Sequence, residues 1–168
     1  MIETPRLTLR PYRPDDLAGL AAILTDGPTM AFWPRPFTLG EAQQWLEQSR
    51  ALHQAFGWCR LAMVAKGQVI GDVGLSHLVL DGEPLIDLGW IVARAHWGQG
   101  LASEAAAAVR DHAFGALGLT LLHANMPGHH AASRRVAEKI GMVWQKNFAN
   151  PRNRGLPTAL YQISRGAG

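Results

Sequence analysis

The sequence predicts an α+β fold, a mixed but mainly antiparallel twisted sheet of about seven strands with flanking helices. Strand-like runs at 58–65, 68–80 and 85–92 follow one another through the short turns Lys66-Gly67 and Asp81-Gly82-Glu83-Pro84. Turns this short join antiparallel neighbours, so these runs form a meander. An alanine-rich helical run, 102–116, follows the meander, and a strand, a helix and two late strands close the chain.

The elements follow in order. Residues 6–10 alternate Leu7 and Leu9 with polar neighbours, the pattern of a half-buried strand, and Pro11 closes it. Asp15 and Asp16 stand where acids favour a helix start, ahead of the amphipathic stretch 17–24, and Gly27-Pro28 ends it. Residues 32–37 carry Phe32, Trp33 and Phe37 in a loop broken by prolines. Thr38 and Glu41 have capping-box spacing and open a helix that runs to about residue 56. After the meander, the predicted elements are a helix to about residue 115, a strand at 119–125 and a helix at 131–140 with Gly141 at its C-terminal cap. Strands at 142–148 and 159–164 flank the polar loop 150–155. No repeat or linker interrupts the chain, and one domain, 1–168, is expected.

Composition narrows the function classes. Of 168 residues, 48% are hydrophobic and 17% charged, which fits a globular chain rather than a disordered one. No long apolar run argues for a membrane, and the single Cys59 excludes an internal disulfide and fits a cytoplasmic location. The net charge of +3 is not gathered into a basic arm, so no nucleic-acid partner is expected. His123, His129 and His130 straddle Pro127-Gly128 without a matching acid, so no metal site is expected either. Cys59, beside Trp58, is read as packing.

The stretch Trp97-Gly98-Gln99-Gly100-Leu101-Ala102-Ser103-Glu104-Ala105 joins an apolar strand to a helix. Two glycines one residue apart permit a tight turn, and the first turn of a helix has unpaired N–H donors with partial positive charge. Such a junction either holds an anion, a phosphate above all, or is a plain glycine bend. A dinucleotide-binding unit is excluded: the loop follows a hairpin series rather than a first strand, and Ser103 stands where the third glycine belongs.

Four segments together resemble the GNAT N-acetyltransferases, especially the branch containing the ribosomal-protein-alanine acetyltransferases. They are Thr4-Pro5-Arg6-Leu7-Thr8-Leu9-Arg10-Pro11 with Asp15-Asp16-Leu17, then Val69-Ile70-Gly71-Asp72-Val73-Gly74-Leu75. The others are Asp87-Leu88-Gly89-Trp90-Ile91-Val92 with the glycine loop, and the helix from His130 through Lys139-Ile140-Gly141-Met142. The resemblance implies acetyl transfer from acetyl-CoA to an amine acceptor, a peptide N-terminus or a small amine, by direct attack on the thioester. Pyrophosphate would lie on the N–H groups of Gly98, Gln99, Gly100, Leu101 and Ala102, with Ser103 in the same turn. The pantetheine arm would pair with the strand edge at Ile91 and Val92, where an N–H would also steady an oxyanion. Trp97 either packs or touches the cofactor, and His130 replaces the usual asparagine and either reaches the pantetheine or lies exposed. Of Arg134 and Arg135, one is expected on the phosphates, with Arg134 the nominee. The tyrosine acid of many family members is Ala137 here, which leaves Ser133 for the departing thiolate or for helix capping. Asp87 stands at the position of a strand acid, as base or as a structural hydrogen-bond partner. Phe32, Trp33 and Trp90 would line an apolar acceptor pocket between loops 32–37 and 150–155. Homodimers are common in the family, and the oligomeric state stays open. The alternative is a non-catalytic acyl-CoA-binding sensor with the same fold.

Overall fold

A computed structural model describes residues 1–166, so residues 167–168, the last two of the expected domain, lie outside the described residues. The strands are β1 (Ile2–Glu3), β2 (Thr8–Arg10), β3 (Arg60–Ala65), β4 (Gln68–Leu80), β5 (Glu83–Val92), β6 (Leu121–Pro127), β7 (Val143–Asn150) and β8 (Leu156–Ser164). They form one eight-stranded sheet in the order β1-β2-β3-β4-β5-β6-β8-β7. The helices are α1 (Leu17–Leu24), α2 (Leu39–Phe56), α3 (Leu101–Gly115) and α4 (Ala131–Lys139). All neighbouring strands are antiparallel except β5 and β6, which are parallel.

The extra strand relative to the sequence expectation is β1, two residues that pair Ile2 with Leu9. A segment this short carries no period-two signal. The strand expected from residue 6 starts at Thr8, because a tight turn donates the Thr4 N–H to the Leu7 carbonyl at 2.9 Å. The strand expected from 119 starts at Leu121, because the Leu119 N–H closes the end of α3 on the Ala113 carbonyl at 3.0 Å. At α2 the capping box forms as its spacing predicts: Thr38 Oγ1 accepts from the Glu41 N–H at 3.2 Å, and Glu41 returns an acceptor to the Thr38 N–H at 2.7 Å.

The sheet is covered on both faces. Leu88 and Val92 of β5, Leu122 and Met126 of β6, and Leu101, Ala105 and Val109 of α3 meet in the main core. A second core joins Leu20 and Leu24 of α1, Leu46 of α2, Ala62, Tyr12 and Ile91. Side chains alternate along a strand, so Leu88, Trp90 and Val92 face α3, while Asp87, Gly89 and Ile91 face α1 and α2. Among the described residues no helix is long and apolar enough to cross a membrane.

A buried ion pair lies under α2. Arg60 of β3 donates Nε to Asp72 Oδ1 at 2.6 Å, its Nη2 pairs with the same oxygen, and its Nη1 donates to the Gly74 carbonyl at 3.2 Å. Tyr12 Oη and Trp45 Nε1 donate to Asp72 Oδ2 at 2.6 Å and 3.0 Å, and the guanidinium stands over the Trp45 ring. Burial and the Asp72 carboxylate hold the Tyr12 phenol well above its usual range. Gly89 makes room for this network, since a Cβ there would collide with Arg60 Nη1. Removing one partner strands the other charge without solvent. Asp72→Ala is therefore expected to lower the unfolding free energy by about 3–5 kcal/mol, read from urea unfolding with an unchanged m-value.

Candidate active site

The chain leaves β5 through a single turn of 3-10 helix, Arg94–His96, and enters α3 across the glycine loop. Gly98 and Gly100 have φ of 74° and 76°, the left-handed region that side chains disfavour. Arg6 fixes the loop from the N-terminal segment. It donates Nη1 to the Gln99 carbonyl at 2.8 Å and Nε to Glu104 Oε2 at 2.7 Å, and Thr4 Oγ1 donates to Glu104 Oε1 at 2.6 Å. A trans peptide sets N–H opposite to C=O, so the carbonyl held by Arg6 aims the Gly100 N–H away from Arg6. Among the described residues, no N–H from Gly98 to Ser103 donates to another protein group. These free groups stand at the positive end of α3, where an anion is favoured. Burial pushes the Glu104 carboxyl up, but hydrogen bonds from Thr4 and Arg6 outweigh it and hold the group below its ordinary value. Arg6 thus neutralises an acid that would otherwise repel a phosphate at this helix start.

Beside the loop, the sheet is open. β5 and β6 share a single bridge, Asp87 opposite His123, and no pairing continues beyond it. The Ala93 N–H donates to the Ile70 carbonyl across the β4–β5 pair at 2.9 Å. By alternation Ile91 also turns its backbone groups to β4, and the groups facing the gap are those of Trp90 and Val92. This corrects the expectation for Ile91, whose side chain is buried in the α1–α2 core. Trp97 is half-exposed, and its Nε1 donates to the Val92 carbonyl at 2.7 Å. Its ring closes the loop back onto β5 instead of entering the core.

The closed end of the gap is polar. Asp87 is 6% exposed and accepts a hydrogen bond from Asn125 Nδ2 at 2.8 Å. Burial pushes its carboxyl up to about 6, against the lowering effects of Asn125 and Arg60. His123 shares the bridge. Burial holds its pKa below the ordinary histidine value, and its Nδ1 has no partner. Asn125 carries no motif signal and is absent from the sequence prediction; only the β6 register brings it to Asp87.

The start of α4 borders the same gap. His130, its cap residue, stacks on Phe32 with centroids 3.6 Å apart and planes 6° from parallel. Burial and His129 hold His130 at about 4, so it is neutral at physiological pH. Ser133 is half-buried in the first turn of α4, and Ala137 is fully buried. Arg134 turns inward: it donates Nε to Tyr161 Oη at 3.0 Å and Nη1 to the Gly128 carbonyl at 3.2 Å. Arg134, the arginine nominated for the phosphates, thus uses two of its donors within the fold. Trp33, Phe37 and Trp45 pack edge-to-face over the α1–α2 core. Trp90 does not join Phe32 and Trp33. It packs against the main core on the α3 side of the sheet, because it alternates with Asp87 and Ile91.

A glycine-built anion cradle beside a gap between two parallel strands is the arrangement the family resemblance requires. The sequence pattern of the acetyltransferase (GNAT) domain matches residues 6–143. The chain belongs to the GNAT acetyltransferase family. It is 28% identical over 162 residues to the protein YkkB of Bacillus subtilis, covering 95% of this chain and 92% of that one. It superposes on an acetyltransferase from Agrobacterium tumefaciens with a TM-score of 0.82 and 30% identity, covering 98% of this chain and 94% of that one. It also shares its fold with the ribosomal-protein-S5-alanine acetyltransferase from Vibrio fischeri, at a TM-score of 0.81 and 20% identity over 98% and 96% of the two chains. As a GNAT member the chain is an acetyl-CoA-dependent acetyltransferase, with acetyl-CoA as acyl donor. The unpartnered N–H groups from Gly98 to Ser103 fit the pyrophosphate of that donor.

Two expected outcomes follow from this geometry. Gly100→Val forces a β-branched residue to a φ of 76° and puts its side chain in the cradle. Calorimetric titration should then show acetyl-CoA affinity falling by tenfold or more (about 1.4 kcal/mol or more), with the circular dichroism spectrum retained. The second concerns Asp87, whose folded pKa of about 6 lies above its unfolded value. The folded state therefore holds the proton more tightly. The resulting stability is present below the unfolded pKa, about 3.9, and is lost as pH rises through about 6. Asp87→Asn should accordingly be more stable than the parent at pH 8, by about 2–3 kcal/mol, with the difference vanishing at pH 4 in parallel denaturant titrations.

Proposed function

We propose that this chain transfers the acetyl group of acetyl-CoA to a primary amine by direct attack on the thioester. One observation carries the reading: a buried carboxyl, Asp87, with a pKa of about 6, sits at the closed end of the strand gap. An unperturbed aspartate is too weak a base for an ammonium group, and one raised to about 6 is better matched to proton transfer near neutral pH. Asp87 also faces the side of the sheet that carries α1, α2 and their connecting loop, whereas the cradle lies at the start of α3. A base reached from one side and an anion site on the other suit a two-substrate transfer.

The residues divide the work. The N–H groups from Gly98 to Ser103 hold the pyrophosphate, and the free edge of β5 at Trp90 and Val92 aligns the pantetheine arm. The Val92 N–H faces the gap and steadies negative charge as it grows on the thioester oxygen. Asp87, oriented by Asn125, takes the proton that the acceptor ammonium must lose. The amine nitrogen bonds to the carbonyl carbon, the carbon–sulfur bond breaks with its electron pair on sulfur, and the further proton shed by the nitrogen passes to that sulfur, leaving a neutral amide and the CoA thiol. The Ser133 hydroxyl hydrogen-bonds that sulfur, in place of the phenol that Ala137 cannot supply. Neutral His130, stacked on Phe32, ties the α1–α2 loop to the start of α4, beyond the C-terminal end of β6, without adding a cation there.

For the parent protein, kcat/KM should rise with pH through an acidic limb near 6. Asp87→Asn should lose that limb and about 10²–10⁴ in kcat, while acetyl-CoA still binds. A variant that acetylates amines at the parental rate would remove Asp87 from the mechanism.

A further inference from the structure

We infer that His123 is the proton outlet of Asp87: it takes from that carboxyl the proton each turnover leaves there and passes it to water. This rests on the acetyl-transfer reading above and adds a second titratable residue to it. An acceptor ammonium gives up two protons on becoming a neutral amide. One leaves with the CoA thiol, and the other stays on Asp87, which must be emptied before the next acceptor is deprotonated. Asp87 is buried, and its one side-chain partner, Asn125 Nδ2, donates to it and cannot accept a proton.

Three buried side-chain polar atoms among the described residues have no hydrogen-bond partner: His53 Nδ1, His123 Nδ1 and Asn153 Oδ1. Of these residues His123 alone stands opposite an acid at a strand bridge. Leu122, Ala124 and Met126 of β6 enter the main core with Leu88 of β5, so alternation puts His123, Asn125 and Asp87 on the other face. The hydrogen bond from Asn125 to Asp87 fixes that shared face. The two unmet needs match. A protonated Asp87 has an O–H to donate and no side-chain acceptor, and Nδ1 of a neutral ring protonated at Nε2 has a lone pair and no donor. Burial holds His123 below the ordinary histidine value, against the opposing effect of the Ile86 backbone, so the ring is neutral near pH 7 and free to receive a proton. Its Nδ1 is enclosed while the residue as a whole is half-buried, so His123 reaches from the acid to solvent.

The protons balance. The O–H bond of Asp87 breaks as the Nδ1–H bond forms, giving a carboxylate and an imidazolium. The imidazolium loses its Nε2 proton to water, and exchange with solvent restores the tautomer with a bare Nδ1. Neighbouring charges do not oppose the transfer. Arg60 and Asp72 are paired with each other, and Lys146 of β7 is held by Asp81. Glu83 shares the face by alternation but lies at the exposed start of β5, and Gln162 of β8, the register partner of His123, is uncharged.

The first test needs no acceptor. Nitrogen NMR of histidine-labelled protein follows His123 Nδ1 between about pH 4 and pH 8. In the parent its resonance should move through a midpoint near 6 together with the Asp87 carboxyl, and Asp87→Asn should remove that step. A His123 titration that ignores Asp87→Asn overturns the inference. The second test is kinetic, with saturating acetyl-CoA and either tyramine or Ser-Ala-Ala-Ala amide as acceptor. His123→Gln keeps a hydrogen-bond acceptor beside Asp87 but cannot carry a proton onward. It should lower kcat by about 10²-fold with KM unchanged, and added imidazole should restore the rate above an enzyme-free blank. Parental kcat in His123→Gln, or a loss that imidazole does not restore, overturns the outlet and spares the transfer reading. Linked titration of Asp87 and His123 without acetylation of either amine supports the shared proton and refutes the transfer reading.

Discussion

Where β5 and β6 part beyond the bridge between Asp87 and His123, a sheet gives up backbone hydrogen bonds in its middle. Buried N–H and C=O groups left without partners cost free energy, so such a gap persists only where its rim is held by other interactions or its groups are met by a ligand. On the β5 side the strand is pinned by ten register pairs with β4, from Gly71–Val92 to Leu80–Glu83. On the β6 side the strand is pinned by β8 along its whole length. The Val92 carbonyl finds the Trp97 indole, and the remaining edge groups of Trp90 and Val92 face the open seam. Two well-paired half-sheets therefore carry the strain of one unpaired seam.

The same seam explains why Asp87 is an unusual acid. At the last paired position it is buried on the face under α1 and α2, with one hydrogen bond from Asn125. The nearest strong cation, Arg60, is already committed to Asp72 and Gly74. Desolvation consequently dominates and the pKa rises. The two buried carboxylates differ in their partners: Asp72 accepts from four donors, Asp87 from one side-chain donor. Gly89, between Asp87 and Ile91, makes the arrangement sterically available by leaving room for the guanidinium.

Charge is managed in the same way at the cradle. Glu104 lies in the first turn of α3, where an acid favours the helix but competes with a phosphate for the same N–H groups. Arg6 and Thr4 draw that acid back toward the N-terminal segment, and Arg6 also sets the Gln99 peptide. One arginine, seen in the sequence only as part of the opening strand, holds the start of α3 across nearly a hundred residues of chain.

The sequence by itself determined the meander, the helices, the glycine loop and the family, because these depend on local periodicity, turn chemistry and short motifs. β4 and α2 follow their pattern closely, and Gly98 and Gly100 adopt the backbone their identity allows. Tertiary structure decided which side of each strand mattered. Alternation put Trp90 on the core side away from Phe32, turned the backbone of Ile91 to β4, and left Trp90 and Val92 facing the gap. Packing turned Arg134 into the fold and brought Asn125 to Asp87. A protonation state such as that of Asp87 depends on burial and on partners that lie tens of residues away in the chain. Local sequence does not encode those distances; they exist only once the two half-sheets meet at a single bridge.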